Sequence, residues 1–274
     1  MKAVWRSVAL AVIVAILAAS SVAAYYECYR LPRTKPELTG IERIKKRGVL
    51  VVGHDIYPPW SFRTEEGTWD GFDVEVMKRV AETLGVRYVG KEVIWESVIP
   101  ALKAKEIDVI ASAMSITPER SKEVLYTIPY YEVTLAFVVR ADEAELYKTP
   151  EDFVGKAVGA QAGTTGWDLA KALYEGTGTD IKDFPMLPEL LMALENGIVD
   201  VAIFDTPTAR HYCNEEPEKF AVAFTHPTHG YPDYYAYAVR PEDGDLAEVI
   251  NTVIMEMMES GELTELMEKW GVTP

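Results

Sequence analysis

Cysteine is nearly absent from this 274-residue chain, which carries only Cys28 and Cys213. Two cysteines cannot build a disulfide framework, and neither stands at a zinc-type spacing. Basic residues are also scarce, 27 against 43 acidic ones, for a formal charge of −16. That balance argues against nucleic acid and anionic lipid surfaces as partners; it leaves a small ligand open, because such a ligand is matched locally. Histidine is limited to His54, His211, His226 and His229, without a metal-ligand arrangement. His226 and His229 stand three apart in a Pro/Gly loop and read as a surface pair. No nucleophile–base pair stands out, and no P-loop lysine follows a glycine turn. No cofactor and no metal are expected.

What is present begins with a leader-like segment. Lys2 and Arg6 precede a charge-free apolar stretch, Val8 to Ala24, that ends in small residues. Basic flank, apolar centre and small-residue end are the parts of a secretory signal over residues 1–28. An uncleaved membrane anchor fits the same stretch, since its length is near the lower limit of a span. Either reading places the rest of the chain outside the cytoplasm. Residues 29–40 carry two prolines and no periodicity, the pattern of a linker.

From Ile41 onward strand-like and helix-like segments alternate. Val49–Val52 is a short apolar strand. Met77, Val80, Ala81 and Leu84 follow helical spacing up to Gly85, a C-cap residue. A helix over 97–105 and a strand over 108–113 follow. The pattern then restarts with strands over 133–139 and 157–160, helices over 167–174 and 189–195, and a strand over 199–204. A strand over 235–239 leads into a long amphipathic helix carrying Leu246, Val249, Ile250, Val253, Ile254, Met257 and Met258. This order predicts an α/β protein with sheets covered by helices, divided into two lobes.

In open α/β sheets, ligands lie beyond the carboxyl ends of strands, against helix N-termini. Three segments occupy such places. In Ser112-Ala113-Met114-Ser115-Ile116-Thr117-Pro118-Glu119-Arg120, a threonine N-cap, a proline and an acid make an ordinary helix start. That leaves Ser112, Ser115 and Arg120 unexplained. An arginine there can grip a carboxylate with two parallel hydrogen bonds or form a surface ion pair. Gln161-Ala162-Gly163-Thr164-Thr165 is either a plain capped helix start or an anion-ready turn. Asp205, at the end of a strand, is either a capping aspartate or a partner for an ammonium. A fourth segment, His54 to Trp60, supplies aromatics, as does Trp95; each belongs to a core or to the walls of a cleft. Together the residues offer arginine and amides for a carboxylate, an aspartate for an ammonium and aromatic walls for a side chain.

The stretches GVLVVGHDIYPPW, GFDVEV, WESVIPAL, IDVIASAMSITPER, PYY, GTT, GIVDVAIFDTP and KWG occur in this order between Ile41 and Gly271. In this ordered set the chain resembles the extracellular solute-binding proteins of polar amino-acid ABC importers. The resemblance implies a periplasmic-binding-protein type II fold, two lobes with a ligand cleft between them. Lobe 1 would comprise residues 41–129 and 235–274, and lobe 2 residues 130–234 including the hinge strands. It further implies Arg120 on the α-carboxylate of a free amino acid, assisted by Ser112, Ala113, Ser115 and Thr165. Asp205 would take the α-ammonium, and Tyr57 and Trp95 would flank the side chain. His54, Asp55, Trp60 and Gln161 are the candidates for specificity. His54 stands where several relatives that bind cationic or amide side chains have an aspartate. The implied partners are the amino acid and a membrane permease, and the protein is expected to be a monomer without enzymatic activity. Two other functions compatible with the resemblance are a cyclohexadienyl dehydratase, which needs an additional general acid, and a ligand-sensing partner of a receptor.

Overall fold

Two five-stranded sheets carry the molecule, and two short strands cross between them. The computed structural model describes residues 15–16, 18–22, 38–228 and 233–273. Residues 39–274 form one compact unit. Most of the leader-like segment, Cys28, nearly all of the linker and His229 lie outside the described residues. Among the described residues no helix is long and apolar enough to cross a membrane.

The first helix, α1 (Gly40–Arg47), starts with a capping box between Thr39 and Glu42 and ends at Gly48. It leads into β1 (Val49–His54), with buried Leu50 and Val52. β1 runs parallel both to β4 (Arg87–Glu92) and to β5 (Val109–Ile110). β14 (Ala238–Val239), from near the C-terminus, is antiparallel to β5 and to β6 (Leu125–Tyr126). The order is therefore β4-β1-β5-β14-β6. Helices α2 (Phe72–Leu84), α3 (Val98–Lys103), α7 (Gly244–Ser260) and α8 (Glu262–Lys269) accompany this sheet. α7 buries Leu246, Ile250, Val253, Ile254 and Met257 of the stripe its spacing predicts, while Val249 is half-buried and Met258 is exposed.

The second sheet has the order β10-β9-β11-β8-β12. Its strands are β8 (Leu135–Arg140), β9 (Ala157–Gln161), β10 (Asp180–Phe184), β11 (Val201–Asp205) and β12 (Phe220–His226). β9 is parallel to β10 and β11, whereas β8 is antiparallel to β11 and β12. Helices α4 (Thr165–Tyr174), α5 (Leu187–Glu195) and α6 (Thr206–Glu215) connect these strands. The crossing pair is β7 (Tyr131–Val133) against β13 (Asp233–Tyr235), antiparallel.

Several elements differ from the sequence expectation. The single strand expected over 133–139 is two, β7 and β8, with Thr134 between them. The strand expected over 235–239 is likewise divided between the crossing pair and the first sheet. The strand expected over 108–113 is only two residues long, and three residues beyond it Ala113 adopts φ +51°. The helix expected after Thr117 is a short 3-10 turn, Arg120–Lys122; the Thr117 hydroxyl still accepts from the Arg120 amide at 3.2 Å. Three polar strands, β2 (Phe62–Arg63), β4 and β10, and the helices α1, α6 and α8 lack an apolar run strong enough to read in the sequence. A second β-ribbon strand, β3 (Trp69–Asp70), pairs with β2.

Candidate ligand-binding site

Between the two sheets lies a partly open pocket, with about 320 Å³ of empty space when the adjoining solvent is included. The first sheet's side supplies Asp55, Tyr57, Trp95, Ser112, Ala113, Ser115 and Arg120; the second supplies Gln161, Thr164, Thr165 and Asp205.

On the second side, each residue stands where a strand hands over to a helix. Thr164 caps α4, its Oγ1 accepting from the Trp167 amide at 3.2 Å. Asp205 occupies the N-cap position of α6 but makes no side-chain cap. Its carboxylate instead accepts from the Tyr57 hydroxyl at 2.9 Å, across the cleft. Gln161, the last residue of β9, also reaches across, donating from Nε2 to Asp55 Oδ2 at 2.8 Å.

On the first side, Arg120 donates from Nη1 to the Ser115 carbonyl at 2.9 Å and from Nη2 to the Gly163 carbonyl at 3.0 Å. Trp95 Nε1 donates to that same Gly163 carbonyl at 2.9 Å, and the Arg120 guanidinium lies 5.0 Å from the Trp95 ring centroid. Four side-chain donors thus reach across the cleft: Tyr57, Trp95, Arg120 and Gln161. The Ser112 hydroxyl is turned inward, accepting from the Asp55 amide at 3.1 Å and lying 3.0 Å from the Ser61 hydroxyl.

Burial dominates the electrostatics. It pushes the carboxyls of Asp55 and Asp205 up to about 6. Gln161 partly offsets this at Asp55, and Tyr235 and Tyr57 do so at Asp205. Burial also lowers the Arg120 pKa from its ordinary value, against the pull of Tyr126 and Asp205. Both carboxyls are therefore poised to gain from a cation arriving beside them.

Two of the four specificity candidates are not on the cavity wall. His54 is fully buried, with Nδ1 against the Ala111 carbonyl at 2.5 Å and Nε2 against the Tyr88 hydroxyl at 2.7 Å. Burial drives its pKa down to about 3, so the ring is neutral. Trp60 is also fully buried, packed edge-on against Phe72, Tyr131 and Tyr235 at 5.0–5.3 Å. Asp55 and Gln161 do line the cavity. His54 is the last residue of β1 and its ring is held inward by Ala111 and Tyr88, whereas Asp55, the first residue beyond the strand, carries its carboxylate into the cleft. Thr164 also lines the cavity; in the sequence it is marked only as part of the Gln161–Thr165 turn, not as a ligand residue of its own.

With this geometry in view, residues 50–273 match the model of the bacterial extracellular solute-binding proteins, family 3. The chain belongs to that family. It is 30% identical over 234 residues to the L-cystine-binding protein TcyJ of Escherichia coli strain K12, covering 84% of this chain and 85% of the relative. Among solved structures it resembles the arginine-bound form of a truncated ArgBP from T. maritima. There the TM-score is 0.72 at 37% identity, over 78% of this chain and 99% of that one. A third likeness is to the ancestral amino acid-binding protein AncCDT-1, a precursor of cyclohexadienyl dehydratase. Its TM-score is 0.78 at 31% identity, over 85% and 99% of the two chains. The two-lobed fold and the family's extracellular setting follow from these likenesses.

Proposed function

We propose that the protein captures a free cationic amino acid outside the cytoplasm and delivers it to the permease of an ABC importer. The observation that carries this reading is a charge count. The cavity wall holds one guanidinium, Arg120, and two carboxylates, Asp55 and Asp205. A zwitterionic amino acid matches Arg120 with its carboxylate and Asp205 with its ammonium. Asp55 is then left facing a second positive charge, which only a cationic side chain supplies. The arginine-bound relative supports the same class. Tyr57 and Trp95 offer aromatic faces to an aliphatic or guanidinium stem.

Binding and closure are linked in this reading. A ligand that touches both sides favours the closed arrangement, because it gains contacts there that the open one lacks. Release to the permease reverses that preference. The protein acts as a monomer, and residues 1–28 serve as its secretory signal or anchor.

Isothermal titration with L-arginine, L-lysine, L-glutamine and L-aspartate tests the proposal. Tight binding of the first two and weak binding of the others is expected. Preference for L-aspartate would overturn the charge count. The likeness to a dehydratase precursor is answered by adding prephenate: its turnover would replace capture with catalysis.

A further inference from the structure

The GFDVEV stretch contributes nothing to the cavity wall, yet it holds a fully buried carboxylate, Asp73. Gly71, ahead of it, has φ +125°, and a Cβ there would meet the Trp60 carbonyl oxygen at 2.4 Å. Only glycine permits so close an approach. The Phe72 and Asp73 amides then donate to the carbonyls of Pro59 and Trp60 at 3.0 and 2.9 Å, fixing the first turn of α2.

From that turn Asp73 accepts three hydrogen bonds. Oδ2 receives the Ala113 amide at 2.8 Å. Oδ1 receives the hydroxyls of Tyr130 at 2.8 Å and Tyr237 at 3.0 Å. Ala113 is the cavity-lining residue held at φ +51°, a conformation that non-glycine residues seldom adopt. Tyr130 directly precedes β7, and Tyr237 follows β13 by two residues; their rings stack at 4.5 Å. The binding loop is also laced to β13, through the Ala236 amide on the Met114 carbonyl at 3.1 Å and the Ile116 amide on the Tyr234 carbonyl at 2.9 Å. One carboxylate therefore joins the loop that faces the ligand to both strands on which the lobes turn.

We propose that Asp73 is a positioning residue: it holds the Ser112–Ser115 loop in its ligand-ready turn and couples that turn to the hinge tyrosines. A neutral amide replaces it poorly. Asparagine would keep the Ala113 amide on Oδ1 only by turning its NH₂ toward the two tyrosine hydroxyls, which reverses both of those hydrogen bonds and takes from the hydroxyl hydrogens the acceptor they share. The inference rests on the amino-acid-capture reading.

The test compares the wild-type protein with Asp73→Asn and with Tyr237→Phe, which removes one donor and keeps the ring. L-Arginine affinity is measured by calorimetry, and the radius of gyration at saturation by X-ray scattering. Expected are a Kd raised at least tenfold for Asp73→Asn and several-fold for Tyr237→Phe. The saturated Asp73→Asn protein should also stay more extended than wild type. Should Asp73→Asn fail to fold, Tyr237→Phe and Tyr130→Phe decide alone. A Kd within twofold of wild type and normal compaction, even with a lower melting temperature, would reduce Asp73 to a stability role and overturn the proposal. If wild type itself binds neither L-arginine nor any other amino acid, the capture reading falls, and this inference with it.

Discussion

On the second side of the cleft, Thr165 opens a regular helix three residues after its strand ends, and Asp205 is at once the last residue of its strand and the N-cap of the helix that follows. On the first side, the corresponding strand β5 lasts two residues and gives way to an irregular loop with a left-handed alanine, a 3-10 turn and an arginine tied to two carbonyls. The second side thus presents its groups through helix ends that local sequence already specifies. The first presents them through a loop whose shape depends on residues elsewhere, Ser61, Asp73, Tyr130 and Tyr237 among them. A half built locally tolerates change in its surroundings, whereas a half built by remote contacts transmits them. That asymmetry is what the proposed conversion of occupancy into closure requires.

The sharpest way to break the comparison is to remove one anchor from each side. Arg120→Ala and Asp205→Ala should each weaken L-arginine binding by about a thousandfold in calorimetry, the scale of leaving a buried charge unpaired. Their stabilities should differ from their affinities: Asp205→Asn is expected to melt no lower than wild type, because burial disfavours that carboxylate. Next in size, Asp55→Asn should cost L-arginine about ten- to a hundredfold while leaving L-glutamine nearly unchanged, a split measurable in one titration series.

The pH response follows from the raised carboxyls. Asp55 and Asp205 titrate near 6, and protonation removes the charge a cation needs. Affinity for L-arginine should be flat above about pH 7 and fall as pH drops through 6, by up to about a hundredfold per unit once both groups are protonated. Folding stability shifts the opposite way for these two groups. Their folded pKa lies above the unfolded value of 3.8, so their contribution grows as pH falls from about 6 toward 4. His54 opposes this, since its lowered pKa withdraws stability over the range from 6.5 down to about 3. Calorimetry and thermal melts across pH 4.5–8 separate the two responses (roughly the window these shifts define).

The smallest expected effect on binding is at Arg240, fully buried in the first sheet's lobe. It pairs with Asp243 at 2.6 Å and donates to the Leu102 carbonyl at 2.9 Å. Arg240→Met should lower stability by about 1–3 kcal/mol, the cost of leaving buried carbonyls without their donor, since Asp243 keeps Arg43, yet leave the Kd of the folded fraction within about threefold. Denaturant melts beside titrations check it, and a large affinity loss would extend the remote contacts of the first side beyond Asp73.

The same asymmetry governs what was legible beforehand. Strand-to-helix junctions at Thr165 and Asp205 are written in short-range signals: an apolar run, a hydroxyl or acid, then helical spacing. The roles of His54 and Asp55 are not, because which of two adjacent residues faces the cleft is decided by where β1 ends and by Tyr88 and Ala111, distant in sequence. Trp60 likewise carries no local mark that separates a cleft wall from a core. Asp73 lay in a stretch recognisable as a family feature, but its three partners come from residues 113, 130 and 237, separations at which residue patterns say nothing.

The central claim is that two carboxylates, one on each side of the cleft, select a ligand with two positive charges and one negative. Titrating wild type and Asp55→Asn in parallel with L-arginine and L-glutamine tests it directly. The account predicts that wild type prefers L-arginine by at least tenfold and that Asp55→Asn loses most of that preference. An equal preference in both proteins, or none in wild type, would contradict it.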